Sequence, residues 1–227
     1  MANSLERTIA GERMVLYGDR AMFWPARSRL LIADLHLGKS DVFRRAGLAL
    51  PSGGTAYDLQ RLSTLLAHSG ARELWVLGDM LHGAPIDTRW REVWNRWHAE
   101  LDGVRISVIA GNHDRALAAA GLDIDLPGEH VEDAPFLLCH APQADPVLHT
   151  FCGHVHPAIA LPGLRGHWPA FWMRDRLTVL PAFSGFTGGM RIVPVGNEQA
   201  MVCAHGEIVE VRGDCLRMKR KPTNAGP

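Results

Sequence analysis

Seven residues in this 227-residue sequence pair a metal-binding side chain with one recurring position in the local pattern. Asp34 and His36 follow the apolar run 29–33, Asp79 follows 73–77 and Asn112 follows 104–110. His140 follows 136–139, and His154 and His156 follow 150–152. Each of these short runs reads as a buried strand. Ligands in open α/β sheets collect beyond the carboxyl ends of strands, so residues distant in sequence can meet there. Asp34 and His36 are two positions apart, as are His154 and His156. In extended chain, residues so spaced share a face. Gly78, Gly111 and Gly153 let the backbone turn sharply as it leaves each strand.

The donor types select the ion. Imidazole, carboxylate and amide oxygen without thiolate suit manganese, iron, zinc or cobalt rather than calcium or a structural zinc site. Seven donors are too many for one open catalytic ion. They suit two ions about 3.5–4 Å apart that share a bridging carboxylate. Cys139 and Cys152 lie beside candidate ligands, but alternation along a strand points them the other way.

The elements that must carry these groups alternate early and become strand-rich late. Helical spacing covers 55–68, with Gly70 as its stop, and 88–101, while 116–120 opens a further helix. Strands are expected at 177–180, 191–195, 201–203 and 208–211. The segment 219–227 reads as a disordered tail beyond a domain spanning 1–218. Trp90, Trp94 and Trp97 share one helix face and read as core packing; their alternative is a stacking face interleaved with Arg89, Arg91 and Arg96.

The charge is balanced, with 24 Lys and Arg against 24 Asp and Glu, so no global field draws in a polyanion. No apolar run reaches the ~20 residues needed to span a bilayer, and the first residues lack the apolar segment of a secretory signal. Four scattered cysteines outside Cys-x-x-Cys pairs read as reduced thiols. A soluble cytoplasmic protein with no membrane partner is expected.

Taken together, Asp34-Leu35-His36, Gly78-Asp79, Gly111-Asn112-His113-Asp114, His140 and Gly153-His154-Val155-His156 resemble the signature of the calcineurin-like metallophosphoesterases. The resemblance implies a single-domain α/β fold of four layers, αββα. It implies one ion on Asp34, His36, Asp79 and His156, and another on Asp79, Asn112, His140 and His154. Two divalent ions are thus expected, manganese first, with iron, zinc and cobalt as alternatives. The implied reaction is attack on phosphorus by a metal-bridging hydroxide. His113 would face the scissile phosphate as a catalytic group, and Asp114 would support its loop or orient a histidine.

Where many phosphatases of this family read Gly-Asp-x-x-Asp, this chain reads Gly78-Asp79-Met80-Leu81-His82, which resembles the Mre11-type repair nucleases. The stretches Ala33–Lys39, 152–157, 180–183 and 187–189 are similar to the bacterial ligase-associated DNA-damage-response phosphoesterase group. That resemblance implies an endonuclease acting on single-stranded or damaged DNA. It also implies functional association with an ATP-dependent DNA ligase, an exonuclease and a helicase. His82 joins the catalytic candidates, and Lys39, Arg44 and Arg45 are candidate phosphate contacts. The alternatives are a phosphomonoesterase or a nucleotide-sugar pyrophosphatase on the same site, and a non-catalytic scaffold on this fold.

Overall fold

The computed structural model describes residues 3–45, 47–49, 53–82, 89–161 and 163–212. It opens with three strands that the apolar patterning left unassigned: β1 (Ser4–Ile9), β2 (Glu12–Tyr17) and β3 (Ala21–Trp24). Ile9 pairs with Glu12 across a two-residue turn. Ala10 (φ 47°) and Gly11 (φ 85°) both take the left-handed conformation, which gives a hairpin turn the twist of its strands.

After the antiparallel pairing of β3 with β4 (Arg29–Ile32), the chain switches to crossovers through helices. α1 (Lys39–Arg45) and α2 (Gly54–Ser69) lead to β5 (Glu73–Leu77), and α3 (Arg89–Ala99) leads to β6 (Arg105–Ile109). β4, β5 and β6 are parallel and complete a first sheet in the order β1-β2-β3-β4-β5-β6.

The second sheet holds β7 (His130–Asp133), β8 (Phe136–Cys139), β9 (His149–Cys152), β10 (Pro157–Ile159), β11 (Trp168–Arg174), β12 (Leu177–Val179) and β13 (Met190–Arg191). Its order is β13-β10-β11-β12-β9-β8-β7, and β14 (Gln199–Ala204) pairs with both β11 and β15 (Glu207–Arg212). Here too the central strands β8, β9 and β12 are parallel.

Strand alternation divides the core. Leu31, Trp75, Leu77 and Ile109 point from the first sheet toward Phe136, Leu138, Phe151 and Phe171 of the second. The opposite face of the first sheet (Leu30, Ile32, Val76, Val108) packs against Leu59, Leu62 and Leu66 of α2 and the three tryptophans of α3. Two packed sheets with few helices in one domain match the expected architecture. The buried apolar side chains of α2 and α3 lie on the first sheet. After β6 the described residues supply only the 3-10 turn Ala118–Ala120, stopped by left-handed Gly121, where a longer helix was expected. Beyond it the chain folds mainly into strands. The outer face of the second sheet carries smaller clusters, Ile159 with Ala170 and Val202, and Cys139 with Cys152 and Val179.

The tryptophan stripe is core. Trp90, Trp94 and Trp97 are 3%, 1% and 6% exposed, which removes them as stacking faces for bases. Trp97 Nε1 donates to Ser63 Oγ at 2.7 Å, joining α3 to α2. Cys139, Cys152 and Cys203 are free and buried. No helix among the described residues is long and apolar enough to cross a membrane. The expected tail at 219–227 lies outside the described residues. Replacing Trp94 by alanine opens a cavity between α3 and the sheet, with an expected loss of about 3–5 kcal/mol in a denaturant melt. A loss under ~1 kcal/mol would contradict this packing.

Candidate metal centre

Both parallel strand triplets end at one edge of the molecule. Ala33 forms a parallel bridge to Ala182 beyond β12, and Phe183 N donates to Ala33 O at 2.8 Å, which locks the two sheets together there. Every candidate ligand sits on the loop that leaves β4, β5, β6, β8 or β9.

The loops are zipped to each other. Asp34 N donates to Gly78 O, His36 N to Asp79 O and Leu37 N to Met80 O, at 2.8–3.1 Å. The acidic side chains continue this pattern. Asp34 accepts from His154 N through both oxygens (3.3 and 3.0 Å), and Asp79 Oδ1 accepts from His113 N (3.0 Å). Each carboxylate thereby fixes the position of another ligand loop.

Asp34, His36, Asp79, His154 and His156 all have positive φ, between 49° and 67°. This changes the reason for which the paired residues converge. Extended chain was expected to bring Asp34 toward His36 and His154 toward His156. Instead all four residues are left-handed, and the turns bring the side chains around. For non-glycine residues this conformation costs about 1–2 kcal/mol each.

Two groups of ligand atoms result, Asp34 with His36 and His156, and Asp79 with His140 and His154, each drawn together within 4.8 Å. Asp34, Asp79, His36 and His140 are 0–6% exposed. His140 Nδ1 donates to the Leu77 carbonyl at 3.0 Å, so its Nε2 carries a lone pair. That lone pair faces Asn112 Oδ1 at 2.9 Å, His154 Nδ1 at 3.1 Å and Asp79 Oδ1 at 3.5 Å. In the other group, His156 Nε2 comes within 3.1 Å of Asp34 Oδ1 without forming a hydrogen bond, and both nitrogens of buried His36 lack a partner. Burial first, then Lys39 and the neighbouring histidines, pushes His36 down to about 2, which keeps its ring neutral and free to act as a ligand.

Lone-pair atoms of carboxylate, imidazole and amide clustered at this spacing are what a cation's coordination sphere requires. Ligand atoms about 2.1 Å from an ion lie roughly 3.0–3.4 Å from each other, close to the separations here. These residues therefore fit divalent metal ions.

At the mouth, His113 is 43% exposed at its side chain, with Nε2 3.9 Å from Asp79 Oδ2. Its ring stacks on His82 at 5.6 Å, and both rings lie near His36. Phe43 of α1 packs on His82 at 5.8 Å. Burial, followed by Lys39 and His113, lowers the His82 pKa. Asp114 is 5% exposed and accepts from Met80 N, Leu81 N and Gly111 N at 2.9–3.2 Å, so it ties the 78–82 loop to the 111–114 loop. Its described partners are all backbone, which fits loop support rather than orientation of a histidine. Lys39 Nζ donates to Thr187 Oγ1 at 3.1 Å, a contact with no sequence signal. Arg44 lines a separate cavity with Arg89 and the start of α2, and the Arg45 side chain lies outside the described residues.

Buried acceptors gathered at the strand ends of a two-sheet α/β domain define a metal-dependent phosphoesterase. Residues 28–214 match the calcineurin-like phosphoesterase model, and the chain belongs to that family. The structure is similar to that of the nuclease MPE from Pseudomonas putida, with 35% identity over 92% of this chain and 100% of that one, and a TM-score of 0.77. A phosphoesterase from E. coli aligns at 18% identity over 81% of this chain and 97% of that one, with a TM-score of 0.47. No curated protein sequence matches the chain.

Two glycines separate steric demand at the centre from backbone strain. A Cβ on Gly78 (φ 78°) would lie 2.1 Å from His140 Nδ1, whereas one on Gly70 (φ 67°) meets nothing within 4 Å. Gly78→Ala is expected to weaken metal binding by at least ~10-fold in a chelator competition. Gly70→Ala is expected to lower stability alone. Equal metal affinity in both variants would contradict the close approach of β5 to His140.

Proposed function

We propose that the chain is a two-metal phosphodiesterase acting on nucleic acid, with single-stranded or damaged DNA as its substrate. The observation that carries this reading is the meeting of two ligand groups beneath an open mouth that, among the described residues, is lined by His82 and His113. Similarity to a nuclease across 92% of the chain supports the same substrate class.

Asp34, His36, His156 and Asp79 would hold one ion. Asp79, Asn112, His140 and His154 would hold the other, with Asp79 shared. The donor set suits manganese first, and iron, zinc or cobalt also. When bound, such a pair supplies a water of lowered pKa and positive charge for the phosphate oxygens.

The remaining tasks fall to the chain's own side chains. His113 stands at the solvent edge of the centre, where its imidazole would hold a proton toward the leaving oxygen. His82 stacks on that ring, and Phe43 packs against His82 in turn. Burial lowers the Lys39 pKa, with opposing attraction from Asp34 and Asp79. Its ammonium group would contact a phosphate oxygen of the incoming strand.

With manganese supplied, the enzyme is expected to hydrolyse single-stranded DNA and bis-p-nitrophenyl phosphate, and p-nitrophenyl phosphate only weakly. Turnover of the monoester alone would overturn the diesterase reading. His113→Gln is expected to lower kcat about 10²–10⁴-fold without changing metal content. Unchanged kcat would remove His113 from the chemistry.

A further inference from the structure

The segment that follows β12 has two sides. On one side Phe183 N and Ser184 N donate to the carbonyls of Ala33 and Asp34, at 2.8 and 3.3 Å. On the other, Arg20 Nη1 donates to Ala182 O and Ser184 O at 3.4 and 3.1 Å, and Arg61 Nη1 donates to Phe183 O at 3.0 Å. Next to these guanidinium groups lies a cavity of about 510 Å³ whose walls include Arg20, Arg61, Asp19, Tyr57, Trp168 and His205. None of these residues is a candidate metal ligand.

Two guanidinium groups stand with two carboxylates here, but the pairing falls on Arg61, whose Nη2 also donates to Asp19 O at 2.8 Å. Arg61 pairs with Asp58 at 2.9 Å and lies 3.8 Å from Asp19. Arg20 has carbonyl partners but no ion pair among the described residues. Burial pushes the Arg20 pKa down, and the neighbouring Arg61 pushes it further, with weaker opposing attraction from Asp58 and Asp19. A shielded guanidinium beside a second cation favours an anion between the cavity walls.

The other walls are aromatic. Tyr57 is 64% exposed on α2, with the Arg61 guanidinium 5.8 Å from its ring centre. Trp168 meets His205 edge-to-face at 5.0 Å, and its indole Nε1 is shielded from solvent without a hydrogen-bond partner. Cations together with flat aromatic faces recur where proteins hold phosphate and base at once.

We propose that this cavity is a nucleotide subsite, with a phosphate held against Arg20 and Arg61 and a base held against Tyr57 and Trp168. The ligand chemistry is a nucleoside phosphate, either free or as one residue of a DNA strand whose scissile bond lies at the metal centre. The strand form rests on the nucleic-acid reading above; the free form does not. Arg20 and Arg61 join the cavity to the metal centre through the carbonyls of Ala182 to Ser184, the segment that pairs with Ala33 and Asp34.

The test titrates dAMP into the metal-loaded protein by calorimetry, and measures KM for a single-stranded oligonucleotide of about ten residues. Tyr57→Ala and Arg20→Gln are each expected to weaken dAMP binding about tenfold or more and to raise the oligonucleotide KM similarly. Absence of dAMP binding to the wild type, or unchanged affinity in folded Tyr57→Ala, overturns the proposal. Tyr57 is on the surface, so its variant decides the matter if Arg20→Gln does not fold. The two readings fail separately. Wild type that cleaves DNA while Tyr57→Ala keeps its dAMP affinity and KM contradicts the subsite but not the nuclease. Wild type that binds dAMP through Tyr57 and Arg20 but cleaves no DNA contradicts the nuclease, and supports a site for free nucleotides.

Discussion

The Nε2 lone pair of His140 faces an amide oxygen and a carboxylate oxygen as well as a second imidazole nitrogen, so no more than the contact to His154 can carry a proton. The same conflict recurs around Asp34, His36 and His156. Two buried carboxylates and their facing acceptors would repel each other in a low dielectric, and positive charge among them removes that repulsion. Much of the surrounding structure serves to hold this arrangement closed. The five left-handed ligand residues store several kcal/mol of backbone strain. Hydrogen bonds between loops resist the relaxation of that strain, and the close approach of Gly78 and Gly153 to the ligands leaves no room for a Cβ.

The scaffold follows from the same requirement. A site of this kind needs several loops leaving parallel strands in one direction, and two packed sheets with three parallel strands each supply them. The first sheet is stiffened by the tryptophan-rich face of α3, and the second presses Phe136, Phe151 and Phe171 into the shared core. A small displacement between the sheets would separate Asp34 from His154, because their contact crosses the interface. That makes core packing a determinant of metal geometry as well as of stability.

Much of the centre was legible because its donors are chemically unusual residues at strand ends, where polar side chains of these types stand out against apolar runs. The tryptophan stripe was legible as core from its helical spacing. Other features left no such trace. Nothing in the residue types Asp34 or His156 announces a left-handed backbone, so convergence was attributed to extended chain. The Leu77 carbonyl that orients His140 is main chain and carries no signature, and neither do the carbonyls gripped by Arg20 and Arg61. The hairpin β1–β2 alternates in a half-exposed pattern too short to separate from loop, although Ala10-Gly11 sits at its turn.

The central claim is that two ions share Asp79. Crystals of the manganese-loaded protein, measured for anomalous scattering at the manganese edge, test it most directly. The account predicts two peaks per chain about 3.5–4 Å apart, with the Asp79 carboxylate between them and Asp34 and His140 on opposite sides. A single peak, or two peaks of which only one contacts Asp79, would contradict it.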